Sequence, residues 1–278
     1  MISNKIKKGF VKGKPLIKFQ EIGDGPPVVF LHGIGGNSDN WRDQQNAISS
    51  NFTSIAWDAR GYGGSDDYEG PLRFEDFSHD LARLLEFKKI EKAHLVGLSM
   101  GARILMDFFP KYKDRVATLV LCDCFFDYKV LSKEKQNEFI ALRQKPLKSG
   151  KTLNDIAPAL IDSLVGPDCS DEVKTKIKKS FLKIHIDSYL KTIAESITYD
   201  ATNNLSKFDV PTLLVYGEFD KLTPAEIGYL AKEKIKDSSI HIIKNAGHLS
   251  NIEQPDNFNK IFIKFLTQHK NKANFKKV

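Results

Sequence analysis

Residues 93–101 read Ala93-His94-Leu95-Val96-Gly97-Leu98-Ser99-Met100-Gly101, and they carry the most specific pattern of this chain. The first of these residues form an apolar, strand-like run, and the residues that follow have the pattern of a helix. A G-x-S-x-G segment at such a junction is typical of a sharp strand-to-helix turn, in which small residues flank a strained serine. The pattern predicts that Ser99 is a nucleophile whose hydroxyl points out of the fold. Five residues alone are also compatible with a plain glycine-containing turn.

Short apolar runs alternate with helix-like segments along most of the chain. Continuous runs of this kind suit strands that are covered on both faces, and the helices between them supply the crossover connections. We therefore predict an α/β fold with a mostly parallel sheet, helices on both faces and an N-terminal edge hairpin between Gly9 and Ile22. The predicted strands of the main sheet are Val28–Leu31, Thr53–Trp57, His94–Val96, Ala117–Leu121, Thr212–Tyr216 and Ile240–Ile243.

The alternation of strand-like and helix-like segments stops between Cys124 and Pro211, where the sequence becomes lysine-rich and helical in pattern. A structureless loop of that length is improbable inside a compact domain, so we predict an inserted helical cap over the carboxyl ends of the strands. Helical padding against the core is the alternative. The predicted division is a core of residues 1–124 and 205–278 and a cap of residues 125–204. The polar tail, Lys270–Val278, is predicted to be frayed.

Composition is that of an ordinary globular protein of 278 residues, with 41% hydrophobic and 28% charged residues. No run reaches the ~18 apolar residues of a membrane span, and the N-terminus lacks the apolar region of a secretory signal, so we predict a cytoplasmic protein without membrane contact. The net charge of +7 comes mainly from lysines spread along the chain, which indicates a solvated surface rather than a specific nucleic-acid interface. Three cysteines, Cys122, Cys124 and Cys169, predict neither a disulfide framework nor a metal site.

A serine hydroxyl needs a base to take its proton, and the base needs an orienting carboxylate. Asp220 ends the segment Gly217-Glu218-Phe219-Asp220 behind one predicted strand, and His248 ends Asn245-Ala246-Gly247-His248 behind the last one. Ser99 also follows a strand. Because ligand chemistry in an open α/β sheet concentrates at the carboxyl ends of the strands, we expect these three side chains to converge.

This arrangement resembles the α/β-hydrolase family from about Gly13 to Leu266. In that family the triad follows the order Ser, acid, His along the chain. The resemblance implies that Ser99 is the nucleophile, Asp220 the orienting acid and His248 the base.

Two loops carry the resemblance further. Leu31-His32-Gly33-Ile34-Gly35-Gly36 is similar to the family's H-G loop, which implies an oxyanion hole formed by the backbone N–H groups of Ile34 and Met100. The segment from Asp58 to Ser65 is similar to the D-x-R-G-x-G-x-S loop, which implies an architectural role with Arg60 bracing neighbouring loops. Ala102 departs from the second glycine that many relatives carry after Gly101.

Other residues are alternatives for the same roles. Glu218 lies beside Asp220 and could be the orienting acid, and Asp123 ends the strand after the serine turn, where some hydrolases place their acid. His32 belongs to the predicted oxyanion loop, and we interpret it as a hydrogen-bonded structural histidine. The remaining histidines lack a catalytic context; they are His79, His94, His185, His241 and His269.

The resemblance implies a serine hydrolase that cleaves a small-molecule carboxylic ester or lactone through an acyl-enzyme, with neither a metal nor an organic cofactor. The motifs are most similar to the branch that contains 3-oxoadipate enol-lactonases and related esterases. Leu98 stands where carbon–carbon bond hydrolases of this fold typically have Asn, which favours ester or lactone cleavage over that alternative. Serine at the turn argues against dehalogenases and epoxide hydrolases, which use aspartate. A non-catalytic small-ligand receptor is a further alternative, and a homo-oligomer is left open.

Overall fold

The computed structural model describes residues 5–126 and 132–276. Within these residues a sheet runs through the centre, and its inner strands are buried because apolar side chains face helices on both sides. The described strands are β1 (Lys7–Val11), β2 (Ile17–Ile22), β3 (Pro27–Leu31), β4 (Thr53–Trp57), β5 (Ile90–Leu98), β6 (Val116–Cys122), β7 (Thr212–Gly217), β8 (Ser238–Ile243) and β9 (Asn274–Phe275). Strands β3, β4, β6 and β7 are buried at every position.

The order of strands across the sheet is β1-β2-β4-β3-β5-β6-β7-β8. Strands β3 to β8 run parallel to one another, whereas β1 and β2 form an antiparallel hairpin whose second strand pairs with β4. The prediction of a mostly parallel α/β sheet with an N-terminal edge hairpin is therefore confirmed.

Helices connect the strands and cover the sheet. The described helices are α1 (Arg42–Ile48), α2 (Phe74–Phe87), α3 (Met100–Lys111), α4 (Lys133–Lys148), α5 (Leu153–Leu164), α6 (Asp171–Phe181), α7 (Ile186–Thr198), α8 (Thr202–Leu205), α9 (Ala225–Lys234), α10 (Ser250–Glu253) and α11 (Pro255–Gln268). Helix α2 packs on α3, and α1 packs on α11. None of these helices is both long and apolar enough to cross a membrane.

Helices α4 to α8 lie between β6 and β7 in the chain, and we call residues 132–205 the helical segment. Two salt bridges join its α6 side to the core, Lys176 Nζ to Asp43 at 2.5 Å and Lys183 Nζ to Asp39 at 2.7 Å. The predicted cap, 125–204, also includes residues 127–131, which lie outside the described residues. Its standing as a separate unit remains a prediction.

The prediction of a frayed tail is wrong for residues 270–276. Strand β9 pairs antiparallel with the start of β5, and the backbone N–H of Lys276 donates to the Lys89 carbonyl at 2.7 Å. The tail is ordered because its backbone groups find partners on a sheet edge, a contact that polar side chains do not reveal. Residues 277–278 of the predicted tail lie outside the described residues.

Candidate active site

Ser99 lies at the junction between β5 and α3 with φ 51° and ψ −110°. A non-glycine residue in this region carries strain of about 1–3 kcal/mol, and such residues concentrate at functional sites. The Ser99 N–H donates to the Cys122 carbonyl at 2.8 Å, which fastens the turn to β6. A Cβ at Gly97 would overlap the backbone of Gly101, and one at Gly101 would overlap the Leu31 carbonyl, so both glycines are sterically required.

Asp220 and His248 are brought into direct contact by the loops that follow β7 and β8. The distance between His248 Nδ1 and Asp220 Oδ2 is 2.8 Å, and both side chains are buried. Thr223 Oγ1 donates to Asp220 Oδ2 at 2.5 Å, while the N–H groups of Leu222 and Thr223 donate to Oδ1. These donors fix the carboxylate, and the carboxylate in turn fixes the imidazole.

The electrostatics of this pair favour its charged form. Burial opposes ionisation of Asp220, but the nearby His248 and the hydrogen bonds from His248 and Thr223 outweigh burial and lower the pKa of Asp220. Burial likewise opposes the imidazolium of His248, but the charge and hydrogen bond of Asp220 outweigh it and raise the pKa of His248. The site can therefore stabilise a proton on His248.

Ser99 and His248 line one small cavity together with Ile34. The cavity measures about 40 Å³, and helices α4, α5 and α7 close it from above. Among the described residues, Ser99 Oγ makes no hydrogen bond to His248, so the hydrogen bond between the serine and its proposed base is not formed in this structure. Such contacts are often long before substrate binds. The lining residues are Gly33, Ile34, Leu98, Ser99, Phe139, Arg143, Leu160, Leu164, Tyr189, Leu222, His248 and Leu249.

The loop predicted to supply the oxyanion hole forms a tight turn beside Ser99. The Gly36 N–H donates to the Gly33 carbonyl at 3.0 Å, and Gly35 has φ 83°, a conformation that glycine adopts without strain. Ile34, between them, lines the cavity. Met100 is the first residue of α3, where a helix leaves its backbone N–H without an intrahelical partner.

His32 braces the same loop from below. Its Nε2 accepts a hydrogen bond from the Ala59 N–H at 3.0 Å, so its Nδ1 carries the proton and donates to the Gly33 carbonyl at 2.8 Å. Burial lowers the pKa of His32, which keeps the ring neutral. Both ring nitrogens are thus used in structure, as expected for a non-catalytic histidine.

In the described structure neither of the two alternative acids forms a hydrogen bond with the His248 ring. Glu218 accepts from Lys244 Nζ at 2.6 Å and from the Asn245 N–H. Asp123 accepts from the Gly217 N–H at 2.7 Å and from Ser250 Oγ at 2.5 Å. Burial, reinforced by the charge of Asp220, raises the pKa of Asp123 well above its usual range.

Arg60 was expected to brace neighbouring loops, and its hydrogen bonds hold its own loop against helix α2 instead. Its Nε donates to Asp80 Oδ2 at 2.7 Å, and its guanidinium donates to the Asp76 carbonyl at 3.2 Å. Ala102 is fully buried in the core, so its methyl group is accommodated beneath the serine turn.

Sequence reasoning missed Glu253, which anchors the loop that carries His248. Its carboxylate accepts from the N–H groups of Gly247 at 3.1 Å and Leu249 at 3.2 Å, which flank His248, and from the Gly166 N–H of the helical segment at 2.7 Å. The His248 N–H itself donates to the Leu164 carbonyl at 2.7 Å. A buried acid six residues beyond a glycine has no distinctive pattern, so no local signal marks Glu253.

The comparisons with known proteins identify the fold family of the chain. A model described as alpha/beta hydrolase fold matches residues 26–255. A 3-oxoadipate enol-lactonase of Acinetobacter baylyi is 25% identical over 87% of this chain and 88% of its own length. A 2-hydroxy-6-oxononadienedioate/2-hydroxy-6-oxononatrienedioate hydrolase of Pseudomonas putida is 25% identical over 91% of this chain and 92% of its own.

Among solved structures, a thermophilic esterase from Thermogutta terrifontis with malate bound superposes with a TM-score of 0.86. It is 27% identical, and the match covers 95% of this chain and 99% of that one. The enol-lactonase of Burkholderia xenovorans shares the fold with a TM-score of 0.83 at 22% identity, over 94% of this chain and 100% of that one. These relatives and neighbours are hydrolases.

Proposed function

Because the chain belongs to the alpha/beta hydrolase fold family, we propose that it is a serine hydrolase that cleaves a small-molecule carboxylic ester or lactone. The observation that carries this proposal is the buried contact between Asp220 and His248, 2.8 Å long, on the cavity that the strained Ser99 also lines. The three groups follow three different strands, and the parallel sheet places all of them at its carboxyl edge. Together they would supply the nucleophile, the base and the orienting acid of Ser-His-Asp acyl transfer.

In the proposed mechanism His248 takes the proton of Ser99 as the serine oxygen attacks the substrate carbonyl. The imidazolium that forms is stabilised by Asp220, consistent with the raised pKa of His248. His248 then gives the proton to the departing alkoxide, which leaves an acyl-enzyme on Ser99. Water attacks this ester with His248 as base, and the second collapse releases the carboxylic acid and restores the serine.

The negative charge on the carbonyl oxygen needs donors that are already in place. We assign this role to the backbone N–H groups of Ile34 and Met100. The turn at Gly33 to Gly36 and the start of α3 hold these groups without side-chain rearrangement. Removal of one such donor typically costs ~100-fold or more in kcat.

We further propose that the helical segment acts as a cap and that the substrate is small. Its helices α4, α5 and α7 contribute Phe139, Leu160 and Tyr189 to the cavity wall. The cavity of about 40 Å³ leaves room for only a short acyl group unless the cap moves. Leu98 before the nucleophile favours ester or lactone cleavage over carbon–carbon bond hydrolysis.

The proposal is tested with Ser99→Ala, with Ser50→Ala as a matched control at an exposed serine. Wild type and control should hydrolyse short-chain p-nitrophenyl esters or small lactones, and Ser99→Ala should lose at least about 10³-fold in kcat while melting at the same temperature. A fluorophosphonate should label Ser99 in the wild type. Undiminished hydrolysis by a folded Ser99→Ala, or a folded wild type that neither turns over the panel nor reacts with the probe, would overturn the proposal.

A further inference from the structure

A second, larger cavity adjoins the cavity at Ser99. It measures about 360 Å³, lies between α4 and α5, and shares Arg143, Leu160 and Tyr189 with the Ser99 cavity. Leu142, which also lines it, has 66% of its surface exposed, so this cavity opens to solvent. Because the two cavities have three lining residues in common, they lie side by side. A substrate bound at Ser99 therefore has the larger space next to it.

The sizes of the two cavities fit the two halves of an ester. The smaller cavity, about 40 Å³, has room for a short acyl group, and the larger one has room for a much bigger leaving group. One face of α5 gives the larger cavity an apolar wall of Ile156, Ala159 and Leu160. Lys151 and Asp155 also line it, but both are exposed. The leaving group that fits best is thus mainly apolar.

Tyr189 is a buried polar side chain on the wall that the two cavities share. It is 1% exposed, and its hydroxyl forms no hydrogen bond with the described residues. The other hydroxyl of the larger cavity is already used, since Ser163 Oγ donates to the Leu160 carbonyl at 2.6 Å. A buried polar group without a partner is unfavourable until a ligand or a water molecule bonds to it. The Tyr189 hydroxyl is therefore available to a bound substrate.

The Tyr189 ring is held in place and carries its proton. The Phe181 ring packs edge-on against it, with the ring centroids 6.1 Å apart. Gln144 Nε2 on α4 donates to the Leu190 carbonyl at 3.1 Å, which fastens α4 to α7 beside Tyr189. Burial raises the pKa of Tyr189 to about 12, so the hydroxyl is a hydrogen-bond donor at neutral pH. A donor that is already positioned loses little freedom when a ligand binds.

We propose that the Tyr189 hydroxyl donates a hydrogen bond to an uncharged oxygen in the leaving group of the substrate, and that the apolar remainder of this group fills the larger cavity. This inference rests on the proposed function of Ser99. The substrate class is then a short-acyl ester of a bulky alcohol that carries an acceptor oxygen a few bonds beyond the ester. A leaving group of pure hydrocarbon leaves the buried hydroxyl unpaired and is the poorer match.

The test of the hydrogen bond compares benzyloxyethyl acetate with phenylbutyl acetate, which has the same shape but a methylene group in place of the ether oxygen. Tyr189→Phe should lower the ratio of kcat/KM, ether ester over hydrocarbon ester, by about three- to tenfold, the value of one neutral hydrogen bond. It should melt at the wild-type temperature, because the hydroxyl has no partner in the described chain. Tyr229→Phe, at an exposed position of α9, should leave the ratio unchanged.

The test of the cavity uses Ala159→Trp. Ala159 lines the larger cavity and is not among the residues that line the Ser99 cavity. The variant should lower kcat/KM for both bulky esters at least about fivefold, and ethyl acetate should change less than about twofold. Ala159→Leu, which adds less volume, should act in the same direction. Equal effects on ethyl acetate and the bulky esters, or no effect on any of them, would overturn the inference.

The remaining outcomes separate this inference from the proposed function. If both bulky esters are cleaved through Ser99, an unchanged ratio in Tyr189→Phe would overturn the hydrogen bond and leave the serine hydrolase standing. Equal losses on both esters, or a marked fall in melting temperature, would also overturn it, because either indicates a structural role of the hydroxyl. A wild type that cleaves short p-nitrophenyl esters through Ser99 but neither bulky ester would overturn the substrate class alone.

Discussion

Glu253→Gln is expected to loosen the loop that carries His248 without touching any group of the proposed mechanism. The carboxylate accepts three backbone N–H groups, those of Gly166 on Oε2, Leu249 on Oε1 and Gly247 on both oxygens. Glutamine has the same shape but offers one acceptor oxygen and one NH₂ group. Whichever way the amide is turned, either Gly166 or Leu249 then faces a donor.

The magnitude follows from this count of donors. One buried N–H loses its acceptor, and the other two exchange a charged acceptor for a neutral one. A lost hydrogen bond to a charged group costs about 1.5–3 kcal/mol, so we expect the free energy of unfolding to fall by about 2–3 kcal/mol. For a chain of 278 residues this corresponds to a melting temperature lower by roughly 3–5 °C. We expect kcat to fall about tenfold or more, since a small displacement of the base is costly.

Urea unfolding and steady-state kinetics on a short ester measure the two effects separately. Glu233→Gln, an exposed acid on α9, is the matched control for the loss of one negative charge. It should change neither quantity. An unfolding free energy and a kcat for Glu253→Gln within error of the wild type would refute the conclusion that this carboxylate holds the His248 loop.

Three further predictions concern the triad and the serine turn. Asp220→Asn should lower kcat by about 10⁴-fold. Asp123→Asn should lower kcat by far less. A larger loss of kcat in Asp123→Asn than in Asp220→Asn would identify Asp123 as the orienting acid. His248 acts as a neutral base and its pKa is raised, so kcat/KM should increase with pH, and the midpoint of this increase should lie above the usual histidine pKa of ~6.5. A midpoint below ~6.5 in the pH-rate profile would contradict this. Gly101→Ala should destabilise the fold by about 2–3 kcal/mol in urea unfolding, because its methyl group would meet the Leu31 carbonyl.

Most of the fold could be predicted from patterns within short stretches of the sequence. The serine turn needed glycines at positions 97 and 101 for steric reasons that act within five residues, and the buried parallel strands needed continuous apolar runs. Asp220 and His248 were predictable because each lies on the loop that follows a parallel strand, β7 and β8 respectively. Their meeting was then a consequence of parallel topology, which places the carboxyl ends of the strands at one edge.

The residues that escaped prediction act through contacts between distant segments. Arg143 lines the cavity because of where α4 lies. Thr223 donates to the Asp220 carboxylate, and Glu253 accepts from backbone N–H groups of distant segments. The residue types are common and their spacing is not distinctive. The β9 strand escaped for a related reason, since its pairing uses backbone groups that every sequence has.

The contacts of the helical segment also bear on how a substrate reaches Ser99. Outward movement of α5 would break the bond between the Leu164 carbonyl and the His248 N–H, and would therefore disturb the base as the cavity opened. Movement of α4 would leave that bond intact and would expose Phe139, the buried residue of this helix, at a cost of about 1.5–3 kcal/mol. We therefore expect a substrate to enter on the α4 side, where the opening movement leaves the hydrogen bond of the His248 loop in place.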